Sequence, residues 1–399
     1  MPNARLKIGV IGGGLGGLSA AVGLHQAGFE VEVYEQAPAL TQIGGGINMG
    51  PNAARVLRRL GLGAGLEREG VLPISTHQRR WQDGRTLQKA PLNPQCQALY
   101  GAPHVTIHRA DLLAVIAERF PSEQVHLGHR LTGFAEKGKA IEARFENGAR
   151  IACDVLVGAD GIHSAVRAQL FGEEAPRFAG CVAYRGLVPV ERIADLQLEI
   201  GNQSWVGPGG HFVHYFVSRG QLLNFVGWTE HDTWNREDWT DRATIERALT
   251  AFAGWHKQVR RIIAAADTCF IWALFDRDPL PRWSVGRATL LGDACHPMYP
   301  FMGQGAAQAI EDGAALTACL VAAGDGDPAE ALKRYERLRL PRVTRLQEMS
   351  RANKTRFHMP DGPAQQARDA EWARAGDRSP DALRWLYAHD PSALEPATA

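Results

Sequence analysis

Short apolar runs that lead into glycine recur along this chain and predict the buried strands of a parallel sheet. The first run covers residues 7–11 (KIGVI) and is followed by a glycine-rich turn at residues 12–17. Residues 18–27 then favour a helix closed by Gly28, and residues 29–34 alternate as a second strand. The order is a strand–helix–strand unit, and such units are right-handed in nearly all known sheets.

Later segments extend this pattern and interrupt it once. Residues 151–157 and 288–291 are further apolar runs that lead into glycine and aspartate, and residues 303–320 favour a helix rich in small residues. Residues 178–272 contain alternating runs separated by Gly, Asn and Asp, which is typical of an antiparallel sheet. We therefore expect an antiparallel sheet inserted into the domain that holds the parallel one.

The C-terminal part has a different pattern. Beyond Pro328 the chain turns helical and basic, and Pro341 predicts a break or kink in that helix. The last thirty residues are rich in Ala, Asp, Arg and Pro, and we expect them to pack loosely.

Composition and charge exclude several classes of protein. The 399 residues, 45% hydrophobic and 22% charged, suit an ordinary globular protein of two or three domains. The 44 Lys and Arg residues nearly balance the 43 Asp and Glu residues, so we expect no nucleic-acid or membrane partner. No run of about 18 apolar residues and no signal peptide is evident, and the six cysteines are scattered without a C-x-x-C pair. We therefore expect reduced thiols and a cytoplasmic location.

The turn after the first strand reads Gly12-x-Gly14-x-x-Gly17, which is typical of dinucleotide binding. Gly12 allows the tight turn, Gly14 lets the backbone approach a pyrophosphate, and Gly17 lets the helix pack close to the strand. The helix N-terminus offers free N–H groups to phosphates, and Glu35 is placed to accept hydrogen bonds from a ribose. A glycine-rich turn without a ligand is the alternative, and the motif alone does not separate FAD from NAD.

Two later motifs separate these cofactors. Residues 158–167 (GADGIHSAVR) resemble the DG motif of flavoprotein hydroxylases, and residues 292–297 (GDACHP) resemble their GD motif. Residues 45–53, 107–112 and 300–306 resemble further segments of the same proteins. The chain thus resembles the single-component, FAD-dependent aromatic hydroxylases, a group that contains salicylate, 3-hydroxybenzoate and 6-hydroxynicotinate hydroxylases.

Together, the pattern and the resemblance imply an α/β fold: a Rossmann-like FAD-binding domain with an inserted antiparallel-sheet substrate domain and C-terminal helices. The expected boundaries are residues 1–72, 103–176 and 272–331 for the FAD-binding domain, residues 73–102 and 177–271 for the substrate domain, and residues 332–399 for the C-terminal helical extension.

The resemblance also implies roles for individual residues. Asp293 would bond the ribityl chain of FAD, and Arg109 would contact the flavin or its phosphates. A surface residue at a helix start is the alternative for Arg109. The loop from Pro300 would lie against the flavin ring, where the following helix N-terminus stabilises negative charge on reduced flavin. The expected cofactor-binding residues are Gly12, Gly14, Leu15, Gly17, Glu35, Gln36, Gly46, Ile47, Arg109, Asp160, Asp293, Pro300, Gly303, Gly305 and Ala306.

The run at residues 211–217 (HFVHYFV) is the candidate wall of a substrate pocket. If it is a strand, alternation places His211 and Tyr215 on one face and His214 on the other. His211 and Tyr215 are the expected catalytic pair, able to hold a hydroxyl or carboxylate, as the resemblance also implies. A hydrogen-bonded sheet histidine is the alternative for His211. His296, in the GD motif, either contacts substrate and shares in catalysis or anchors its loop.

A metal site is not expected. His211 and His214 point apart on a strand, and His104 and His108 have helical ligand spacing in a strand-like run without a carboxylate partner. Cys295 has no partner cysteine in sight for a redox disulfide.

The resemblance implies that NAD(P)H reduces FAD and that O2 then forms a C4a-hydroperoxyflavin, which attacks a ring activated as a phenolate. No second glycine-rich unit is present, so NADH or NADPH would bind only transiently. The expected oligomeric state is a monomer or homodimer. The expected substrate is a hydroxylated aromatic carboxylic acid of the salicylate or 3-hydroxybenzoate type. The alternatives are decarboxylating hydroxylation of the 6-hydroxynicotinate type, a flavin dehydrogenase or epoxidase on a non-aromatic substrate, and a flavin-binding partner protein without turnover.

Overall fold

The computed structural model describes residues 6–40, 44–232, 234, 242–375 and 380–394. The strands are β1 (Lys7–Ile11), β2 (Glu30–Tyr34), β3 (Gly46–Met49), β4 (Ser75–Arg80), β5 (Thr86–Pro91), β6 (Val105–His108), β7 (Val125–His126), β8 (Leu131–Lys137), β9 (Ala140–Phe145), β10 (Arg150–Cys153), β11 (Val155–Gly158), β12 (Arg177–Pro189), β13 (Gly201–Gly207), β14 (Gly210–Val217), β15 (Leu222–Glu230), β16 (Arg242–Ala243), β17 (Cys269–Asp276), β18 (Ser284–Val285) and β19 (Ala288–Leu290). The helices are α1 (Leu15–Gln26), α2 (Pro51–Arg59), α3 (Gly63–Glu69), α4 (Gln95–Tyr100), α5 (Arg109–Ala117), α6 (Ala165–Phe171), α7 (Ile245–Ala251), α8 (Lys257–Ala264), α9 (Gly305–Ala323), α10 (Pro328–Phe357), α11 (Pro363–Ala375) and α12 (Arg384–Tyr387).

A six-stranded sheet forms the first layer, in the order β18-β19-β11-β1-β2-β7. Its strands are parallel except for the antiparallel edge strand β18. The predicted strand–helix–strand unit is confirmed, although α1 begins at Leu15 rather than residue 18 because Gly14 already serves as its N-cap. Helices α1 and α9 pack together at Gly16 and Gly313, where a side chain would collide with Ala309 and Ala20.

The single strand predicted at residues 151–157 is wrong. The chain divides at Asp154 into β10, which pairs with β9 in a three-stranded sheet, and β11, which pairs with β1. Asp154 sits at the crossing point, where its carboxylate accepts a hydrogen bond from the Lys7 N–H at 2.8 Å. An apolar run can therefore serve two sheets when its middle residue fixes the crossing.

The predicted antiparallel insertion is confirmed as an eight-stranded sheet in the order β16-β17-β12-β15-β14-β13-β4-β5. One pair in it, β13 with β4, is parallel, which alternation does not reveal. Strand β17 crosses the expected boundary at residue 272, and helix α10 crosses the one at residue 332. Both elements thus join the regions that the boundaries were meant to separate.

Helix α10 continues through Pro341 for 30 residues, so of the predicted break or kink the break is wrong. Buried residues on both sides, Arg339 and Val343, hold the helix across the missing hydrogen bond. Further along, Arg351 donates to Asp276 of the large sheet at 2.8 Å, and Asn353 donates to the Phe301 carbonyl at 3.1 Å. Helix α10 therefore contacts both the eight-stranded sheet and the loop that precedes α9.

The loose packing expected for the last thirty residues is wrong for their described middle part. Leu386 and Tyr387 of α12 are buried, and the Tyr387 ring lies edge-on to Tyr100 at 5.7 Å. Aromatic burial holds the segment beside Tyr100, and Arg55 of α2 donates to the Tyr387 carbonyl at 3.3 Å, which ties it to the FAD-binding domain.

Helix α9 is the one described helix that is long and apolar enough to cross a membrane. Of its apolar stretch, 61% is buried, and it packs between α1 and α10. These contacts are those of a core helix.

Candidate active site

A cavity of about 450 Å³ opens at the carboxyl ends of β1, β2, β11 and β19, the usual ligand position in a doubly wound sheet. Its lining contains many of the residues that the motifs predicted for the cofactor. These are Gly12, Gly14, Leu15, Glu35, Gln36, Arg109, Asp160, Asp293, Gly305 and Ala306. The remaining predicted residues, Gly17, Gly46, Ile47, Pro300 and Gly303, lie outside this lining.

The glycines of the first turn leave no room for side chains. Gly12 has φ +110°, and a Cβ there would lie 2.4 Å from the Ala159 carbonyl oxygen. A Cβ on Gly17 would lie 2.0 Å from the Gly12 carbonyl oxygen, so α1 can approach β1 only through glycine. Gly14 caps α1 without a side chain, which leaves the first helical N–H groups facing the cavity.

Glu35 is held in place by two backbone groups. Its Oε2 accepts from the Gly13 N–H at 2.7 Å, and its Oε1 accepts from the Ala37 N–H at 2.8 Å. A carboxylate has about four acceptor positions, so lone pairs remain for a ligand hydroxyl in the cavity. The bonds also tie the end of β2 to the glycine-rich turn.

Charged groups of both signs line the other end of the cavity. Asp293 is exposed there, and burial lowers the pKa of Arg109 against the opposing effect of the Asp293 carboxylate. Asp160 is already engaged, because it accepts from Ser164 Oγ at 2.5 Å and from the Ala165 N–H at 2.8 Å at the start of α6. Burial raises the Asp160 pKa against these bonds.

Strand β3 and the loop before α9 form a second region beside the large sheet. The Gly46 N–H donates to Asn224 Oδ1 at 2.7 Å, and a Cβ on Gly46 would lie 2.5 Å from the Tyr215 ring. Gly303, at φ +61°, ends the turn Pro300–Met302 and lies close to Asn48. Ile47 pairs with Ile107 in the two-stranded sheet of β3 and β6. The geometry therefore brings the cofactor segments and the predicted wall into contact.

His211 and Tyr215 share the face of β14 that meets this region. In the antiparallel register they lie opposite Trp228 and Asn224, and both are buried. The His211 ring stands edge-on to Phe301 at 4.8 Å. Burial, and then the neighbouring His358, holds the His211 pKa well below its ordinary value, and burial raises the Tyr215 pKa.

His214 is buried on the other face of β14. Burial, followed by Arg79 and His77, lowers its pKa to about 3. Its Nε2 has no hydrogen-bond partner among the described residues. The ring is therefore neutral and packed inside the sheet's second face.

Sequence reasoning missed Arg185 on the same face as His211. Arg185 lies opposite Val226, which lies opposite Val213, so alternation aligns it with the predicted wall. Its guanidinium stacks on Trp272 at 4.1 Å, and burial, then Arg109, lowers its pKa to about 10. The sequence signal that could have identified Arg185 is its position as the single charged residue of the apolar run VAYRGLVPV.

His296 lies beneath its loop. Its Nε2 is 2.6 Å from Asp312 Oδ2, and its ring packs on Trp283 at 5.4 Å. The Gly292 N–H donates to the same carboxylate oxygen at 3.0 Å. Cys295 is close enough to complete a metal-like cluster, but burial and then Asp312 raise the thiol pKa well above its ordinary value. Asp312 is already bonded to His296 and to Arg339, so its carboxylate is engaged within the protein.

A buried ion-pair cluster supports the start of α9 from behind. Arg339 donates to Glu311 at 2.6 Å and to Asp312 at 2.8 Å, and all three side chains are almost fully buried. Arg342 also donates to Glu311, and Asn52 donates to it at 2.6 Å. These bonds fix the helix whose first residues line the cavity.

Comparison with known proteins gives a consistent result. The FAD binding domain family matches residues 5–350. The chain is 44% identical to 3-amino-4-hydroxybenzoate 2-monooxygenase of Streptomyces platensis, covering 96% of each chain. It is 38% identical to 6-hydroxynicotinate 3-monooxygenase of Pseudomonas fluorescens, covering 87% of this chain and 91% of the relative. The crystal structure of Klebsiella pneumoniae HpxO complexed with FAD and uric acid superposes with a TM-score of 0.86, 29% identity and 98% coverage of both chains.

Proposed function

Because this chain belongs to the FAD binding domain family and is an FAD-dependent aromatic monooxygenase, we propose that it hydroxylates an aromatic carboxylic acid carrying a ring hydroxyl. One observation carries the proposal: a single sheet face presents His211, Tyr215 and Arg185. Ionising a ring hydroxyl requires a base, and a carboxylate requires a cation. The relatives that act on hydroxylated benzoate and nicotinate support this substrate class.

FAD fits the residues that line the cavity. The bare backbone at Gly12 and Gly14 suits a pyrophosphate, the fixed carboxylate of Glu35 suits a ribose, and Asp293 and Arg109 suit the ribityl chain and phosphates. When bound, FAD supplies the redox chemistry, taking hydride from NADH or NADPH and activating O2. The six cysteines are all buried and unpaired, which supports a cytoplasmic location.

The chain's own residues then divide the remaining tasks. His211, neutral because of its lowered pKa, accepts the proton of the substrate hydroxyl. Tyr215, kept protonated by burial, donates a hydrogen bond and is itself bonded to the Asn48 side chain. Arg185 binds the substrate carboxylate. The side chains of Phe301 and Trp228, whose rings pack edge-on, exclude water from around the aromatic ring of the substrate. We assign His296 the role of loop anchor, since its Nε2 is bonded to Asp312.

Asp293→Asn is expected to weaken FAD binding by about 10- to 100-fold, because the amide loses a charge-assisted acceptor for the ribityl hydroxyls. Titration of apoprotein with FAD, followed by flavin fluorescence, measures the change. Asp267→Asn, which alters an exposed ion pair with Arg192 away from the cavity, is the matched control and should bind like the wild type. Equal affinities for all three proteins would contradict the role of Asp293.

His211→Ala is expected to slow ionisation of the bound hydroxyl by about 100-fold or more, and Tyr215→Phe to weaken substrate binding about tenfold. The FAD content of both variants should stay at the wild-type value, since neither residue lines the FAD cavity. Stopped-flow absorbance of the phenolate, beside a flavin spectrum of each preparation, separates the two effects. Wild-type kinetics in both variants would remove the pair from the mechanism.

The substrate proposal is tested by anaerobic reduction of the holoenzyme with NADH and with NADPH. The panel of acids is 3-amino-4-hydroxybenzoate, salicylate, 3- and 4-hydroxybenzoate and 6-hydroxynicotinate, and aerobic products are identified by mass. We expect one acid to accelerate reduction strongly and to gain one oxygen atom. If no acid accelerates reduction, the aromatic-acid proposal fails.

Decarboxylating hydroxylation of an N-heteroaromatic acid is the second candidate. It is supported by the 38% identity to 6-hydroxynicotinate 3-monooxygenase over most of both chains. In the same experiment, a product that has lost carbon dioxide while gaining the hydroxyl group would select this candidate. A product that retains the carboxylate would exclude it.

A further inference from the structure

A line of three side chains connects the buried His211 to the protein surface. His211 Nδ1 lies 2.7 Å from His358 Nε2, and His358 Nδ1 lies 3.1 Å from Glu230 Oε1. His211 and His358 are buried, whereas 49% of the Glu230 side chain is exposed. The three residues come from β14, from the end of α10 and from the end of β15.

The carboxylate fixes the tautomers of both rings. An ionised carboxylate can only accept, so His358 must carry its proton on Nδ1. Its Nε2 is then an acceptor, so His211 must carry its proton on Nδ1 and leave Nε2 unprotonated. Among the described residues, only Nδ1 of His211 has a hydrogen-bond partner, which leaves Nε2 for a bound molecule.

A second polar connection from the pocket runs through side-chain amides. Tyr215 is bonded to Asn48, whose Oδ1 lies 3.1 Å from His104 Nε2 and accepts a hydrogen bond from Asn202 at 2.7 Å. An amide does not pass protons readily, and His104 is buried with no described partner at Nδ1. Burial lowers the His104 pKa to about 4.

We propose that His358 and Glu230 form the proton exit of the site, which rests on the hydroxylase function proposed above. The substrate hydroxyl gives its proton to His211 Nε2, and the proton on His211 Nδ1 passes to His358 Nε2. The proton on His358 Nδ1 passes to Glu230 and then to water, so each ring gains one proton and loses one. His358 and Glu230 are thus positioning and relay residues that act through His211.

Two further titratable groups among the described residues, Lys354 and His231, lie beside this line. Burial lowers the His358 pKa to about 4 against the raising effect of Glu230, and Lys354, one turn earlier in α10, lowers it further. Lys354 is bonded to the Ala179 carbonyl at 2.6 Å, and His231 follows Glu230 in the chain. Both relay rings are therefore neutral at pH 7, so each has one unprotonated ring nitrogen.

The first test is independent of substrate. Histidine-selective 15N NMR of the wild-type holoenzyme at pH 7 should show His211 as the Nδ1–H tautomer, with assignment from His211→Gln and His358→Gln. Glu230→Gln should lose this single tautomer, because its amide both donates and accepts. The exposed Glu246→Gln removes an equal charge outside the line and should retain the wild-type spectrum. An Nε2–H tautomer in the wild type, or no change in Glu230→Gln, would overturn the proposal.

The second test follows the proton itself. Anaerobic holoenzyme is mixed with the acid identified by the panel, and a pH-indicator dye reports proton release. We expect His358→Gln and Glu230→Gln to release the proton at least tenfold more slowly at wild-type FAD content, and Glu230→Asp to recover part of the rate. If His358→Gln and Glu230→Gln both release the proton at the wild-type rate, the exit path is overturned and the proposed hydroxylation is unaffected. If no acid accelerates reduction of the wild type, the proposed function fails. The NMR test of the tautomers would still decide whether His211, His358 and Glu230 are hydrogen-bonded as proposed.

Discussion

Arg339→Met lowers the free energy of unfolding of the holoenzyme by an expected 3–5 kcal/mol or so, because it leaves two buried carboxylates without their shared cation. Arg339 lies between Glu311 and Asp312, and none of the three side chains is more than 1% exposed. Methionine fills a similar volume without supplying charge. Urea denaturation at pH 7, followed by circular dichroism, measures the loss.

The same variant has a distinctive pH dependence. Burial alone would raise the pKa of Glu311 and Asp312. Arg339 and Arg342 lower the Glu311 pKa below its ordinary value, and His296 and Arg339 do the same for Asp312. A lowered carboxyl pKa contributes stability above the unfolded-state value of about 4, and this contribution disappears as the pH falls. The difference between Arg339→Met and the wild type should therefore be largest at neutral pH and shrink below about pH 4.

Arg337→Met provides the control for this prediction. Arg337 lies two residues earlier on α10 and is exposed, so its loss should change the free energy of unfolding by less than about 0.5 kcal/mol. Equal stability of the two variants would show that the ion-pair cluster contributes nothing beyond helix propensity.

Gly17→Ala is expected to abolish FAD binding at ordinary concentrations, weakening it by about 100-fold or more. The added Cβ would lie 2.0 Å from the Gly12 carbonyl oxygen and 3.2 Å from Ala159 Cβ, so α1 must move away from β1. That movement displaces the N–H groups which the turn presents to the pyrophosphate. The flavin-to-protein absorbance ratio after purification, followed by FAD titration, measures the effect.

Gly63→Ala tests whether any new methyl group near the FAD-binding core has this effect. Gly63 begins α3, and its added Cβ would meet only the flexible Arg58 side chain. We expect a wild-type flavin content. If Gly17→Ala also purifies with a full complement of FAD, the close approach of helix and strand is not required.

Much of the fold was predictable because its signals are local. The apolar run before Gly12, the glycine spacing and the acid at residue 35 all lie within one short unit, and they were enough to locate β1, α1 and β2. The division of residues 151–157 was not predictable, because the crossing at Asp154 depends on Lys7, which is 147 residues away in sequence. Pairing of β13 with β4 is likewise set by contacts distant in sequence.

The candidate site divides in the same way. Alternation placed His211 and Tyr215 on one face, because that inference needs only the strand itself. His358 could not be found, since no periodicity links the end of α10 to a strand 147 residues earlier. For His296 the sequence left two roles open, and its contact with Asp312 on α9, which supports the proposed role of loop anchor, could not be read from the sequence.

The uninterrupted α10 has a consequence for exchanging parts between relatives. Arg339 near its middle bonds to Glu311 and Asp312 of α9, whereas Arg351 and the adjoining His358 bond to Asp276 and His211 of the large sheet. A chimera that receives only the eight-stranded sheet of a relative would keep the contacts of α10 with α9 and would lose its contacts with the original sheet. We therefore expect a chimera to acquire a relative's substrate range most readily when the large sheet and the C-terminal half of α10 are exchanged together.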